Sequence, residues 1–148
     1  MKKLVTAALA ATLAVGCAMP AFAETHVTEL KANIQSTYTV SIPAATTLTE
    51  GKVETELSAL KVNGNLAPGA KVKVTAAKSD FVRTGSWGDR FAFELLSNGR
   101  PFTEATWSEN DARNGKSVDL TVQVPKTTWD DAKAGEYTAS ITFTVTMQ

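Results

Sequence analysis

The sequence predicts an all-β protein, an antiparallel sandwich of about seven strands with one short helical turn before the last. Three observations predict it. In the closing stretch, Tyr137 to Met147, every odd position is apolar and every even position from Glu136 to Thr146 is polar; alternation of this kind puts one face of a strand on a core and the other in water. The same two-residue period recurs in several shorter runs upstream. Between the runs stand turn residues: Glu50-Gly51, Ala67-Pro68-Gly69-Ala70, Asn98-Gly99 and Asn114-Gly115. A half-buried strand is not stable alone, so these runs require a second layer.

The first 23 residues read as an export signal. Lys2 and Lys3 precede an apolar run from Leu4 to Val15, which is too short to span a bilayer, and Ala21-Phe22-Ala23 closes the stretch. Cleavage is expected after Ala23, leaving residues 24–148 as a single domain. Gly16-Cys17 permits a competing lipoprotein signal, although Ala14 stands where the usual Leu would precede the Cys. Loss of the signal removes Cys17, the sole cysteine, so the core and not a disulfide must carry stability. It also removes two lysines, leaving 13 basic against 15 acidic residues and a formal net charge of −2. That near-neutral balance makes no electrostatic case for nucleic acid or an anionic membrane. No transmembrane segment is expected after the signal.

Taken in order, the first strand is expected from Leu30 to Ile42. Leu30, Ala32, Ile34, Tyr38, Val40 and Ile42 keep one parity, with Ser36 interrupting and Pro43 stopping the run. A second strand, Lys52 to Val62, changes phase near Ser58, which suggests a bulge, and is expected to end at Asn63-Gly64. Pro68-Gly69 fits the centre of a type II turn, after which Val72, Val74 and Ala76 mark a third strand. Lys78 to Arg90 lacks periodicity and reads as a loop. Phe91, Phe93 and Leu95 form a strand that meets Asn98-Gly99, a strong hairpin signal, with a return strand over Arg100 to Trp107. Ser108 to Lys116 reads as a second polar loop. Val118, Leu120, Val122 and Val124 then alternate without fault. Thr127 to Gly135 carries a Thr cap, early acids, a late Lys and a closing Gly, the marks of a short helix. Strands at this spacing favour an immunoglobulin-like sandwich.

The ending Ala134-Gly135-Glu136-Tyr137-Thr138-Ala139-Ser140-Ile141-Thr142-Phe143 resembles the A-G-x-Y and alternating last strand of bacterial exported Ig-like domains, including usher-assembled fimbrial subunits. The resemblance covers about the last twenty residues; it implies the fold class and an extracytoplasmic surface role. Many fimbrial subunits carry a cysteine pair that this chain lacks.

Little points to catalysis, and no enzyme activity, cofactor or metal is expected. The one histidine, His26, lies near the expected mature terminus, a poor place for a rigidly held base. One histidine and no mature cysteine leave no zinc site of ordinary composition. Glu54 with Glu56 reads as a solvent-facing pair, and Asp130 with Asp131 as acids at a helix start. Ser108-Glu109-Asn110-Asp111 with Asn114 offers oxygens to calcium but lacks the spacing of an EF-hand loop. Aromatic residues are the better clue. Trp87, in Gly85-Ser86-Trp87-Gly88-Asp89-Arg90, and Trp107 could stack on a sugar or anchor a protein, or fold over an open end of the core; Trp129 is expected to do the latter.

Two functions therefore stand. The first is a non-catalytic exported protein of the bacterial envelope, structural or adhesive, joining protein partners or itself through edge strands. In it Leu30, Ala32 and Ile34 are candidates for a strand given to a neighbour. The alternative is a carbohydrate-binding module whose loops set Trp87, Asp89, Arg90 and Trp107 around a glycan. Periplasm, cell surface and the extracellular medium are all compatible locations.

Overall fold

The computed structural model describes residues 27–86 and 88–148. The expected signal, Cys17, His26 and Trp87 lie outside the described residues. The chain falls into two units, 1–32 and 33–148. In the first, residues 27–32 carry no regular secondary structure, and Lys31 pairs with Glu29 at 3.3 Å.

The second unit is built almost wholly of antiparallel ladders. One sheet sets β1 (Thr37–Ser41) against β3 (Leu60–Asn65) and β3 against β10 (Ser117–Val118). Another orders β2 (Glu54–Glu56), β11 (Thr121–Gln123), β7 (Glu94–Ser97) and β8 (Arg100–Pro101). The two run on from each other, since the Leu57 amide donates to the Leu120 carbonyl at 2.8 Å between the ladders. A third sheet places β4 (Lys71–Lys78) between β9 (Glu104–Ser108) and β13 (Ile141–Met147). The fourth continues it, with β5 (Phe81–Arg83) between β6 (Arg90–Phe91) and β12 (Tyr137–Thr138). Ser79 and Ser140 hinge these last two ladders, the Ser79 amide donating to the Ser140 carbonyl at 2.9 Å. The helices are α1 (Glu109–Asn114) and α2 (Lys126–Asp131).

One apolar core joins these sheets. Leu60 and Val62 enter it from β3, Val72 and Val74 from β4, Leu95 from β7, Trp107 from β9 and Val122 from β11, with Leu120, Val124 and Phe93 from flanking positions. No polar or charged side chain is buried among the described residues. Apolar burial, the dominant favourable term of folding, is thus concentrated in residues that carry no charge.

The turn chemistry of the sequence is realised at two points. Gly69 takes φ +83° and the Ala70 amide donates to the Ala67 carbonyl at 3.0 Å, closing the Pro68-Gly69 turn. Asn98 and Gly99 take φ +50° and +72°, the paired positive values of a two-residue hairpin whose twist matches its strands. The single strand expected from Lys52 to Val62 with a bulge near Ser58 is instead two strands, β2 and β3, that belong to different sheets.

Several expectations are corrected. The first strand is only Thr37–Ser41, and Leu30, Ile34, Tyr38 and Ile42 are exposed, leaving Val40 as its contact with the core. Asn63-Gly64 is not a turn: β3 runs through it, and Gly64 lies opposite Tyr38. The stretch from Lys78 to Arg90 is not all loop, because Phe81–Arg83 forms β5. The return strand divides, β8 pairing with β7 and β9 with β4. Ser108 to Lys116 holds a helix, α1, in which Ser108 and Asp111 form a reciprocal capping box and Gly115 closes the end at φ +68°. Finally, α2 starts from Pro125 without a side-chain cap, so the expected Thr cap is absent.

Candidate functional site

A groove of about 980 Å³ runs beside β12 and β13. Pro43 to Leu48, just past β1, line one wall, and Tyr137, Ile141 and Phe143 line the other. Aromatic rings crowd its floor. Phe81 stacks on Phe91 at 4.9 Å between centroids and meets Phe93 at 5.2 Å; Phe91 in turn meets Tyr137 at 5.0 Å and Trp129 at 5.5 Å. Such pairs at offset or tilted geometry contribute beyond their buried area. The polar tips are anchored, which fixes the rings. Tyr137 donates its hydroxyl to the Lys133 carbonyl at 2.9 Å, and Trp129 donates Nε1 to the Lys52 carbonyl at 3.1 Å.

β13 forms the open side of this site. It pairs with β4 through seven residues, Ile141↔Lys78 to Met147↔Val72, and no other described strand pairs with it. Its alternation is as the sequence predicts, with Thr142, Thr144 and Thr146 outward. Its inward row is nevertheless poorly covered: Ile141, Phe143 and Val145 are only half-buried and Met147 is 50 % exposed, whereas Val72 and Val74 on the adjoining strand are fully buried. A strand in this position offers free backbone groups and an uncovered apolar row together.

A charged cluster holds Lys133, which also lines the groove. Asp89 pairs with Arg83, receives Lys133 Nζ at 2.8 Å and accepts from Ser86 Oγ at 3.0 Å. The Lys133 contact above all, then Ser86 and Arg83, hold its carboxyl down at about 2, against the opposing effect of partial burial. Arg83 also lies against Gly135, where a β-carbon would stand 2.7 Å from its Cδ. The cluster thereby ties the connection after β5 to the connection before β12, the segment that lines the groove.

The four residues considered for a glycan fare differently. Trp107 is fully buried and donates Nε1 to the Lys116 carbonyl at 2.9 Å, so it presents no ring face to a ligand and instead seals the core. Asp89 has its oxygens committed to Arg83, Lys133 and Ser86. Arg90 is exposed on β6, and Trp87 is outside the described residues. Of the strand-exchange residues, Leu30 is 89 % and Ile34 is 78 % exposed, and Ala32 is exposed as well.

Other sites have structural explanations. Asp111 caps α1, and the Ser108 backbone and side-chain bonds, with Lys116 adding less, lower its pKa. Those oxygens are therefore engaged at the helix start and not arrayed for calcium. Glu54 accepts from Gln123 Nε2 at 3.1 Å on an exposed strand, and Asp130 pairs with Lys126 at 2.8 Å. Among the described residues, no group of three or more His, Cys, Asp or Glu is placed to hold a metal, and no helix is long and apolar enough to cross a membrane.

The groove itself was not legible in the sequence. Its floor needs Phe81, hidden in an aperiodic stretch, and its wall needs Pro43 to Leu48, which has no secondary structure. The available signal was the triplet Phe81-Val82-Arg83, rich in strand formers, between Asp80 and Gly85. Neither a protein-family model nor a curated protein matches the chain.

Proposed function

We propose that this chain is a non-catalytic exported protein of the bacterial envelope, a structural or adhesive subunit with an immunoglobulin-like sandwich fold, which joins protein partners through an open sheet edge. One observation carries the reading: the last strand, β13, exposes both its unpaired edge and a half-covered apolar row beside a groove of about 980 Å³. Exposed edges of this length are normally blunted by charge, Pro or a covering loop because they recruit other strands. Here the outward residues are threonines, and the edge is left open.

The fold assignment has two supports. The β2–β3, β10–β11 and β7 ladders form one layer, and the β4–β5, β12–β13 and β9 ladders another, both contributing to a shared core. Tyr137, at the start of the closing strand, bonds back to the carbonyl four residues upstream, as the tyrosine of an immunoglobulin-like corner does. The tripartite N-terminal signal supports export. With Trp107 inside the core and the Asp89 oxygens engaged by Arg83, Lys133 and Ser86, the glycan-binding alternative gains no observation in its favour.

Cell fractionation combined with chemical cross-linking tests this reading. The expected result is an exported protein that cross-links into assemblies, with itself or with other envelope proteins. Cytoplasmic protein with the signal retained, or an exported chain that stays monomeric and uncross-linked, would overturn it.

A further inference from the structure

We propose that Asn98 is a site of spontaneous covalent modification, where the side-chain amide is lost through a cyclic imide shared with Gly99 and an aspartyl or β-linked aspartyl residue is left at the hairpin tip. Neither the open edge of β13 nor the groove takes part in it.

The chemistry starts from the sequence. Three asparagines precede glycine, in Asn63-Gly64, Asn98-Gly99 and Asn114-Gly115. In such a pair the glycine nitrogen can attack the asparagine Cγ, because the following residue has no side chain to block the approach. A bond forms between the glycine nitrogen and Cγ, the Cγ–Nδ2 bond breaks, and ammonia leaves with the proton given up by the glycine amide. Water then opens the five-membered imide at either carbonyl. Opening at Cγ leaves aspartate in an ordinary chain, and opening at the main-chain carbonyl leaves a chain routed through the β-carbon. One water enters and one ammonia departs, so nothing is oxidised or reduced.

The structure separates three pairs that the sequence leaves equal. Asn63 lies inside β3, paired with Thr39, whose hydroxyl donates to the Asn63 carbonyl at 3.4 Å, and the Tyr38 backbone is packed against Gly64. Swinging the Gly64 nitrogen onto the Asn63 side chain would part β3 from β1. Gly115 closes α1, its amide donating to the Asp111 carbonyl, so the attacking nitrogen there is already committed.

Gly99 differs on each count. Its amide meets no acceptor among the described residues, and both Asn98 and Gly99 are exposed. The hairpin they cap is short. After the Ser97↔Arg100 and Leu96↔Pro101 pairs, the Phe102 amide donates to the Leu95 carbonyl at 2.8 Å, and the chain then leaves for the other layer, where the Thr103 carbonyl accepts from Ala76. β8 is also an edge strand, and Pro101 has no amide hydrogen to add. Opening the tip therefore disturbs few bonds, the mark of a segment that opens locally without unfolding the domain. Asn98 is moreover the sole non-glycine at positive φ among the described residues, at +50°. That conformation is costly for a residue with a β-carbon, so opening the turn releases strain.

The test incubates the purified full chain in neutral buffer, both folded and in concentrated urea, and follows each Asn-Gly step by peptide mapping with mass spectrometry. The aspartyl product shows as the mass gained when oxygen replaces the amide nitrogen, and the β-linked form elutes apart from the ordinary one. In urea the three steps lose their surroundings and should convert at similar rates. In the folded protein Asn98 should convert at least about tenfold faster than Asn63 or Asn114, because protection follows the free energy of opening each site. A folded chain in which Asn63 or Asn114 keeps pace with Asn98 would overturn the proposal, as would one in which Asn98 stays intact for as long as they do.

Discussion

Gly64 and Tyr38 face each other across the β1–β3 ladder so closely that a β-carbon on Gly64 would stand 2.6 Å from the Tyr38 Cα, with the Thr37 carbonyl oxygen nearer still. The obstacle is backbone, which cannot swing aside as a flexible side chain can. Gly64→Ala should therefore destabilise the protein by about 1–3 kcal/mol, the cost of overpacking, although alanine would otherwise be favoured within a strand. Urea unfolding midpoints decide it, and an unchanged or raised midpoint would mean that the two strands part easily.

Trp107→Phe removes both volume and the donor to the Lys116 carbonyl at the core's most deeply buried large side chain. A loss of about 2–3 kcal/mol is expected, from the cavity together with the unmatched acceptor. Calorimetry of the two proteins measures it, and a loss near zero would contradict a sealing role.

Asp89 gives a pH signature. Its carboxyl is depressed from an ordinary 3.8 to about 2 by Lys133, Ser86 and Arg83. A depressed folded-state pKa favours the folded state above the unfolded value and ceases to do so as pH falls through the folded one. The stability difference between the native protein and Asp89→Asn should thus be complete above about pH 4 and shrink towards pH 2. Denaturant titrations at several pH values follow it. A difference that stays constant across that window would remove the cluster from the account.

Phe143→Ala should cost roughly 2–3 kcal/mol, less than a fully enclosed phenylalanine, because the residue is only half-buried. Thr142→Ala, on the water-facing side, should cost about 0.5 kcal/mol or less. Equal losses would mean that both faces of β13 are enclosed.

How much of this was written in the sequence depends on how local the cause is. Val72, Val74, Leu120 and Val122 announce themselves because alternation is a property of neighbouring residues, and Asn98-Gly99 does so because its backbone needs are met within the turn. The parity of β13 was equally plain, but its incomplete burial was not. That depends on what lies across from Phe143, and the far wall is a stretch around Pro43 and Leu48 without any period. The same limit explains Leu30 and Ile34. Their parity with Val40 suggested one continuous strand, yet pairing is decided by a partner, and β3 offers none beyond Asn65. At Ser108 the signal was present, Ser followed three residues on by Asp, but Asp111 stands where Glu or Gln is more usual and the helix is only six residues long. The Asp89 cluster joins positions 44 residues apart and leaves no trace in any local window.

The Pro68-Gly69 turn has a consequence for the order of the chain. Ser36 is bonded to Ala67 on one side of it, and Gln148 exchanges both of its main-chain bonds with Lys71 on the other. The beginning of β1 and the end of β13 are thus close neighbours, separated by a single turn. Neighbouring ends permit circular permutation: a short Gly/Ser linker from Gln148 to Ser36, with new ends opened at the exposed Asn98-Gly99 hairpin, keeps every ladder in register while moving residues 24–35 off the covalent start of β1.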